Sequence, residues 1–135
     1  MLAPLLLLNL LLPSTLAAAP HLKARDCQVN EIPASLSGAY IDRNNKNNVS
    51  FRLYSGDIET RCPPLNKDPQ KGTAKAFNSK TVYECADPSV TFSFNGNNGQ
   101  LRIWISNNQG TFGGSVTISN PSPEVISTTL KCQDN

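Results

Sequence analysis

The chain has 135 residues, with 12 basic and 10 acidic side chains and a net charge of +2. So small a net charge argues against a nucleic-acid binder and against a polybasic membrane-surface protein, because both need clustered positive charge. The only histidine, His21, lies near the amino terminus, in a stretch that we expect to be removed.

The first 19 residues have the composition of an export signal peptide. Residues 2–12 are almost entirely apolar, and the small residues 17–19 follow as a cleavage site. The apolar stretch is shorter than the roughly 20 residues that a bilayer-spanning helix needs. Residues 20–25 form a short basic leader, which we also expect to be cut off. The sequence therefore predicts a secreted protein whose mature part, residues 26–135, is a single domain with 10 basic and 10 acidic side chains.

Past Cys27 the chain alternates apolar and polar residues in short segments, which is typical of half-buried β-strands. The connections 95–99 and 107–110 are rich in asparagine and glycine and predict hairpins. No segment of the mature chain repeats apolar residues at helical spacing over ten residues. We therefore expect an all-β fold, either an antiparallel β-barrel or a β-sandwich. The predicted strands, in chain order, are 36–41, 49–54, 58–62, 81–85, 90–94, 101–105, 116–118 and 126–132.

Four cysteines predict two disulfides, because an exported protein folds in an oxidising compartment. Three pairings are open to four cysteines. Their positions favour Cys27 with Cys132, at the two ends of the mature chain, and Cys62 with Cys85, around an internal segment. No pair has the Cys-x-x-Cys spacing of a zinc site, and the mature chain has no histidine, so we expect neither a metal nor another cofactor.

The loss of His21 removes most enzyme mechanisms. A ribonuclease or a serine hydrolase would need a histidine to move protons near neutral pH. Pairs of carboxylates could still cleave glycosides, but the acidic residues form no recognisable constellation. Asp57 and Glu59, two residues apart, are interpreted as solubilising charges at a strand edge. We expect no catalytic residue. The acids considered are Glu31, Asp42, Asp57, Glu59, Glu84, Asp87 and Glu124.

Trp104 and Arg102 are the predicted binding surface. In the segment 101–105 the aliphatic residues take one face, so Trp104 and Arg102 share the opposite, outward face. Aromatic and arginine side chains are enriched at binding hot spots. The alternative is structural: Trp104 packs under a loop, against a second sheet or against a dimer mate. The usual burial of tryptophan favours this alternative.

Two further segments carry predictions. Asn48-Val49-Ser50 is an N-glycosylation sequon at an expected exposed strand start, and it predicts a glycan on Asn48. The segment 63–80, with four lysines and one aspartate, is expected to be a solvated loop tethered by the internal disulfide rather than a binding loop.

Several short motifs lie around the cysteines: Thr60-Arg61-Cys62, Tyr83-Glu84-Cys85, Val90-Thr91-Phe92-Ser93-Phe94 and Leu130-Lys131-Cys132-Gln133. Their order, and the leader that runs from Ala19-Pro20 to Arg25, resembles the secreted fungal proteins related to the major allergen of Alternaria, over about residues 27–132. The resemblance implies a β-barrel, often dimeric, with no established enzymatic activity, and it implies the Cys62–Cys85 bridge. Members of that family act as allergens or as elicitors and effectors at plant surfaces. This chain lacks a second late cysteine, so the resemblance implies no covalent dimer.

Taken together, these features predict a secreted, non-enzymatic binding protein, a fungal effector, elicitor or allergen-like virulence factor. Its expected partner is a host extracellular protein or glycan. We expect neither nucleic-acid binding nor membrane insertion, and a homodimer is one assembly that the chain is expected to form. The alternatives are a carbohydrate- or small-ligand-binding β module and a catalytically inactive ribonuclease-like scaffold.

Overall fold

The computed structural model describes residues 27–72 and 75–133. The predicted signal peptide and leader lie outside this part of the chain. The described residues form eight strands, all paired antiparallel in a single sheet that curls into a nearly closed barrel. The all-β prediction is confirmed, and of the two architectures left open the structure is the barrel. The strands are β1 Glu31–Ile41, β2 Val49–Ser55, β3 Ile58–Cys62, β4 Tyr83–Glu84, β5 Val90–Asn95, β6 Gln100–Asn107, β7 Gly110–Thr117 and β8 Val125–Cys132.

The strand order is β3-β2-β1-β8-β7-β6-β5-β4, so strands that follow each other in sequence pair, except for β3 and β4, which are the two edges of the sheet. Strand β1 also pairs with β8, which brings the two ends of the described chain together. The Cys27–Cys132 disulfide links these ends, with 5.9 Å between the Cα atoms. The disulfide prediction for this pair is therefore confirmed.

The barrel has a seam between its two edge strands, β3 and β4. The Cys62–Cys85 disulfide crosses the seam and holds the two Cα atoms 4.3 Å apart, which confirms the second predicted pair. Two hydrogen bonds lie beside it: the Ala86 N–H donates to the Arg61 carbonyl oxygen at 2.9 Å, and the Asp87 N–H to Thr60 Oγ1 at 2.8 Å. The disulfide thus joins β3 to β4 at the seam, whereas the other neighbouring strands are joined by ladders of backbone hydrogen bonds.

The inward faces of the strands fill the barrel with apolar side chains. The largest that are fully buried include Phe92, Phe94 and Phe112, and the Phe51 and Phe92 rings meet edge to face with centroids 5.4 Å apart. An eight-stranded barrel has an interior that side chains are able to fill. These core residues occupy the space that a ligand inside the barrel would need.

The segment 63–80 is more than a solvated loop. Its four lysines are exposed, as expected, but three of its described residues, Pro63, Asp68 and Phe77, are buried. The fully buried Asp68 carboxylate accepts hydrogen bonds from Arg61 Nη2 at 2.7 Å and from the Gln70 N–H at 2.9 Å. Phe77 packs its ring against Tyr83 and Phe92, with centroids 4.7 and 5.6 Å away. The loop therefore lies over the core next to the seam.

Candidate binding site

The alternation of β6 places Trp104 and Arg102 on the outside of the barrel. Leu101, Ile103 and Ile105 are fully buried, Arg102 is exposed and Trp104 is half-buried. This is the face that the sequence pattern predicted for both residues.

Trp104 rests on the neighbouring strand β7. Its register partner there is Gly113, and a Cβ atom at this position would lie 2.8 Å from Trp104 Cδ1 and 3.1 Å from Nε1. The five-membered ring of the indole therefore occupies the space above the glycine. An aromatic side chain that covers a cross-strand glycine in this way is a known means of stabilising a sheet.

The partial burial of Trp104 thus comes from its own sheet. The Gln133 side chain completes the contact, because its Cδ would be 3.1 Å from the same added Cβ. The structural alternative expected Trp104 to be packed, and the contacts that the structure shows are with Gly113 on the neighbouring strand and with Gln133 after β8. Part of the indole remains accessible.

A surface cleft of about 310 Å³ opens beside the ring, lined by Arg102, Trp104, Gly113, Gly114, Ser115 and Gln133. Arg102 and Ser115 are register partners on β6 and β7, so the guanidinium and the hydroxyl arise side by side. Gln133 Nε2 donates to the Lys131 carbonyl oxygen at 2.9 Å, which leaves the amide oxygen as an acceptor. The cleft combines one aromatic ring with several groups that form hydrogen bonds.

The charge in this cleft is positive. Arg102 makes no ion pair with any residue of 27–72 or 75–133, and its register partners are the neutral Ser93 and Ser115. Lys131 on β8 is the register partner of Gly113 and brings a second cation to the edge of the cleft. The site is therefore suited to an electron-rich or anionic group.

Of the acids that were considered for catalysis, Glu59 and Asp87 line one surface cleft. Asp57 lies in the exposed turn between β2 and β3, whereas Glu59 lies on β3 with its carboxylate 3.8 Å from the Arg52 guanidinium. Asp87 accepts hydrogen bonds from the backbone and hydroxyl of Ser89. Among the described residues, no group of three histidine, cysteine, aspartate or glutamate side chains could hold a metal ion.

The expected exposure of Asn48 is wrong. The residue is only 4% exposed, and its amide oxygen accepts a hydrogen bond from the backbone N–H of Phe77. The loop 63–80 folds over this position, which the sequence around the sequon does not reveal. A glycan on Asn48 would have to be attached to a side chain that is almost entirely buried.

Sequence reasoning missed Gly113, Gly114 and Gln133. A signal for the glycine was present, because the tight hairpin at 107–110 pairs β6 with β7 and counting back from it places Gly113 opposite Trp104. No comparable signal exists for Gln133, which follows β8 and reaches the cleft only because β8 lies next to β7.

Comparison with known proteins adds no relative: no family model, no curated protein and no solved structure matches the chain. In the part of the chain that the structure describes, no helix is long and apolar enough to cross a bilayer.

Proposed function

We propose that this protein is secreted and non-enzymatic, and that it recognises a host extracellular component through the outer face of β6 and β7. In this proposal it acts as a fungal effector, elicitor or allergen-like factor, as the resemblance of its cysteine motifs implies. The observation that carries the proposal is the accessible indole of Trp104, which is held in place by Gly113 and flanked by Arg102, a side chain with no ion pair to any described residue.

The physical argument rests on preorganisation. A tryptophan that is packed on a rigid scaffold loses little conformational freedom on binding, and this raises the affinity for a partner. The barrel is closed at both its chain ends and its seam by disulfides, which suits a protein that works in an oxidising compartment. Such a scaffold needs no cofactor to keep the surface in shape.

The proposal is tested by infiltrating the purified protein into leaf tissue and recovering bound host material. We expect the wild type to elicit a response and to retain a host component, and Trp104→Ala to lose both. Tyr40→Ala is the matched control, because Tyr40 is an aromatic residue that is 44% exposed on β1, outside the cleft. Absence of any response and of any recovered component, or equal behaviour of the wild type and Trp104→Ala, would contradict the proposal.

The proposal includes the absence of catalysis. A panel of ribonuclease and glycosidase substrates should give no turnover above that of an Asp57→Asn, Glu84→Gln double variant. Turnover by the wild type that this double variant loses would overturn the non-enzymatic part of the proposal and revive the carboxylate chemistry.

A further inference from the structure

The composition of the cleft beside Trp104 distinguishes between two kinds of partner. Hot spots for proteins lie at the centre of well-packed patches whose surrounding contacts exclude water. None of the described residues that line this cleft has an aliphatic side chain. The exposed large hydrophobic residues of the described chain lie elsewhere, and are Val29, Tyr40, Leu65, Val82 and Val125. Trp104 is thus a single aromatic ring among polar groups.

A sugar ring matches such a surface better than a protein does. One side of a pyranose presents C–H groups, which pack against the electron-rich face of an aromatic ring. Its rim presents hydroxyl groups, which need both donors and acceptors. The cleft has the Arg102 guanidinium as a donor, the Gln133 amide oxygen as an acceptor and the Ser115 hydroxyl as both.

Gly113 and Gly114 add no side chain to the lining of the cleft, because the indole of Trp104 lies over Gly113 and Gly114 faces Leu130 in the core. The volume of about 310 Å³ lies at the low end of the range for small-molecule sites, which suits a single sugar unit of a longer chain.

The charge of the site selects among sugars. No carboxylate lines the described cleft, the Arg102 guanidinium has no ion-pair partner among the described residues, and Lys131 lies beside Gly113. Glu31, the register partner of Lys131 on β1, is on the side of β8 away from β7. A guanidinium binds a carboxylate through two parallel hydrogen bonds, so the site favours a sugar that carries one.

We propose that this cleft binds an acidic glycan, with a uronic acid ring stacked against Trp104 and its carboxylate on Arg102. The inference rests on the proposed function and names the chemical class of the host component. It assigns Trp104 the role of the stacking platform, Arg102 the role of the anion receptor, and Ser115 and Gln133 the hydroxyl contacts.

The test is a titration with trigalacturonic acid, followed by calorimetry and by fluorescence. Trp104 is the only tryptophan of the chain, so a change in emission reports this site alone. We expect saturable binding, lost in Trp104→Ala and weakened about tenfold in Arg102→Gln, the loss of one charge-assisted interaction. Arg102→Lys, which keeps the charge but not the planar pair of donors, should restore only part of the affinity.

Two controls separate specific binding from general attraction between charges. Lys67→Gln with Lys71→Gln removes two exposed cations from the loop 63–80, outside the cleft, and should leave the affinity unchanged. The fully methyl-esterified trimer has the same ring but no free carboxylate and should bind at least tenfold more weakly. Equal affinity for the ester, absence of binding to the acid, or a loss with the lysine variant instead of Arg102→Gln would overturn the inference.

The leaf experiment tells the two proposals apart. If host material is recovered in a Trp104-dependent manner but trigalacturonic acid does not bind, the acidic-glycan inference fails and the proposed function stands. If neither result is obtained, both fail.

Discussion

The amide oxygen of Asn48 accepts a hydrogen bond from the backbone N–H of Phe77 at 3.1 Å, across a separation of 29 residues. Both residues are buried, so the bond joins the start of β2 to the loop that covers the core beside the seam. The asparagine of the sequon therefore has a structural role. The Phe77 N–H is a buried backbone donor, and leaving such a donor without an acceptor is costly.

We expect Asn48→Ala to lower the free energy of unfolding by about 1 to 3 kcal/mol, because the Phe77 N–H is left buried without an acceptor. Urea unfolding followed by fluorescence measures the change. Asn44→Ala is the control, since Asn44 is exposed in the same loop before β2 and should shift stability by less than about 0.5 kcal/mol. Intact-mass spectrometry of the protein purified from a eukaryotic expression host should find no glycan on Asn48. An unchanged unfolding midpoint in Asn48→Ala would contradict the structural role.

The ion pair between Arg61 and Asp68 gives the second prediction. The Asp68 side chain is fully buried and the Arg61 side chain is 22% exposed. Asp68→Ala leaves a largely buried guanidinium without its partner, and we expect a loss of about 3 kcal/mol. The exposed pair Arg52–Glu59, at 3.8 Å, provides the control: Glu59→Gln should change stability by less than about 0.5 kcal/mol. Equal effects in the two variants, measured by urea unfolding, would show that the loop 63–80 is not held by Asp68.

The two disulfides should contribute unequally. The Cys27–Cys132 bridge spans 105 residues and the Cys62–Cys85 bridge spans 23, so chain entropy predicts contributions of about 4 to 5 and about 3 kcal/mol. We expect the double variant Cys27→Ala, Cys132→Ala to unfold at a lower urea concentration than Cys62→Ala, Cys85→Ala.

The seam variant should differ from the terminal one in a second measurement. Without the Cys62–Cys85 bridge, β3 and β4 lose their covalent link, while hydrogen bonds such as that from Ala86 to Arg61 remain beside the seam. Limited proteolysis should then cut first in the loop 63–80. Cleavage elsewhere, or the same resistance as the wild type, would mean that the bridge does not close the barrel.

The variant Gly113→Ala tests whether the indole of Trp104 is packed on Gly113 of β7. The added Cβ would lie 2.8 Å from the indole Cδ1, a distance at which the ring has to move. We expect a shift of the tryptophan emission and a weaker interaction with the partner, while circular dichroism continues to report an all-β fold. Gly72→Ala is the control, because its added Cβ would approach no atom closer than 3.9 Å. An unchanged emission spectrum in Gly113→Ala would exclude the packing of the indole on β7.

The sequence predicts the outward face of Trp104 correctly because this property is local. Alternation of side chains along a strand decides the face, whatever the strand pairs with. In the structure β7 starts at Gly110, six residues before the predicted strand, and this earlier start does not follow from the local alternation of side chains. Gly113 and Gly114 have a low strand propensity, yet the structure needs small residues there because Trp104 covers the first and a Cβ on the second would lie 2.9 Å from Leu130 Cδ2.

Asn48 shows the opposite outcome. Its neighbours in sequence are polar, and polar runs before strands are usually exposed, so the local pattern predicts a surface position. What buries it is Phe77, which the chain brings back to the start of β2. The same holds for Asp68, whose burial depends on Arg61 on the edge strand β3.

By itself, the sequence of this protein determined the all-β class and the hairpins and favoured one pairing of the cysteines, because these depend on side-chain alternation, on turn residues and on where the four cysteines lie in the chain. Only the tertiary structure decided that the sheet closes into a barrel, that the loop 63–80 buries Asn48, and that Trp104 shares a cleft with Ser115 and Gln133. The reason is that these contacts join residues from strands and loops distant in the chain. Their energies appear only once the barrel has formed.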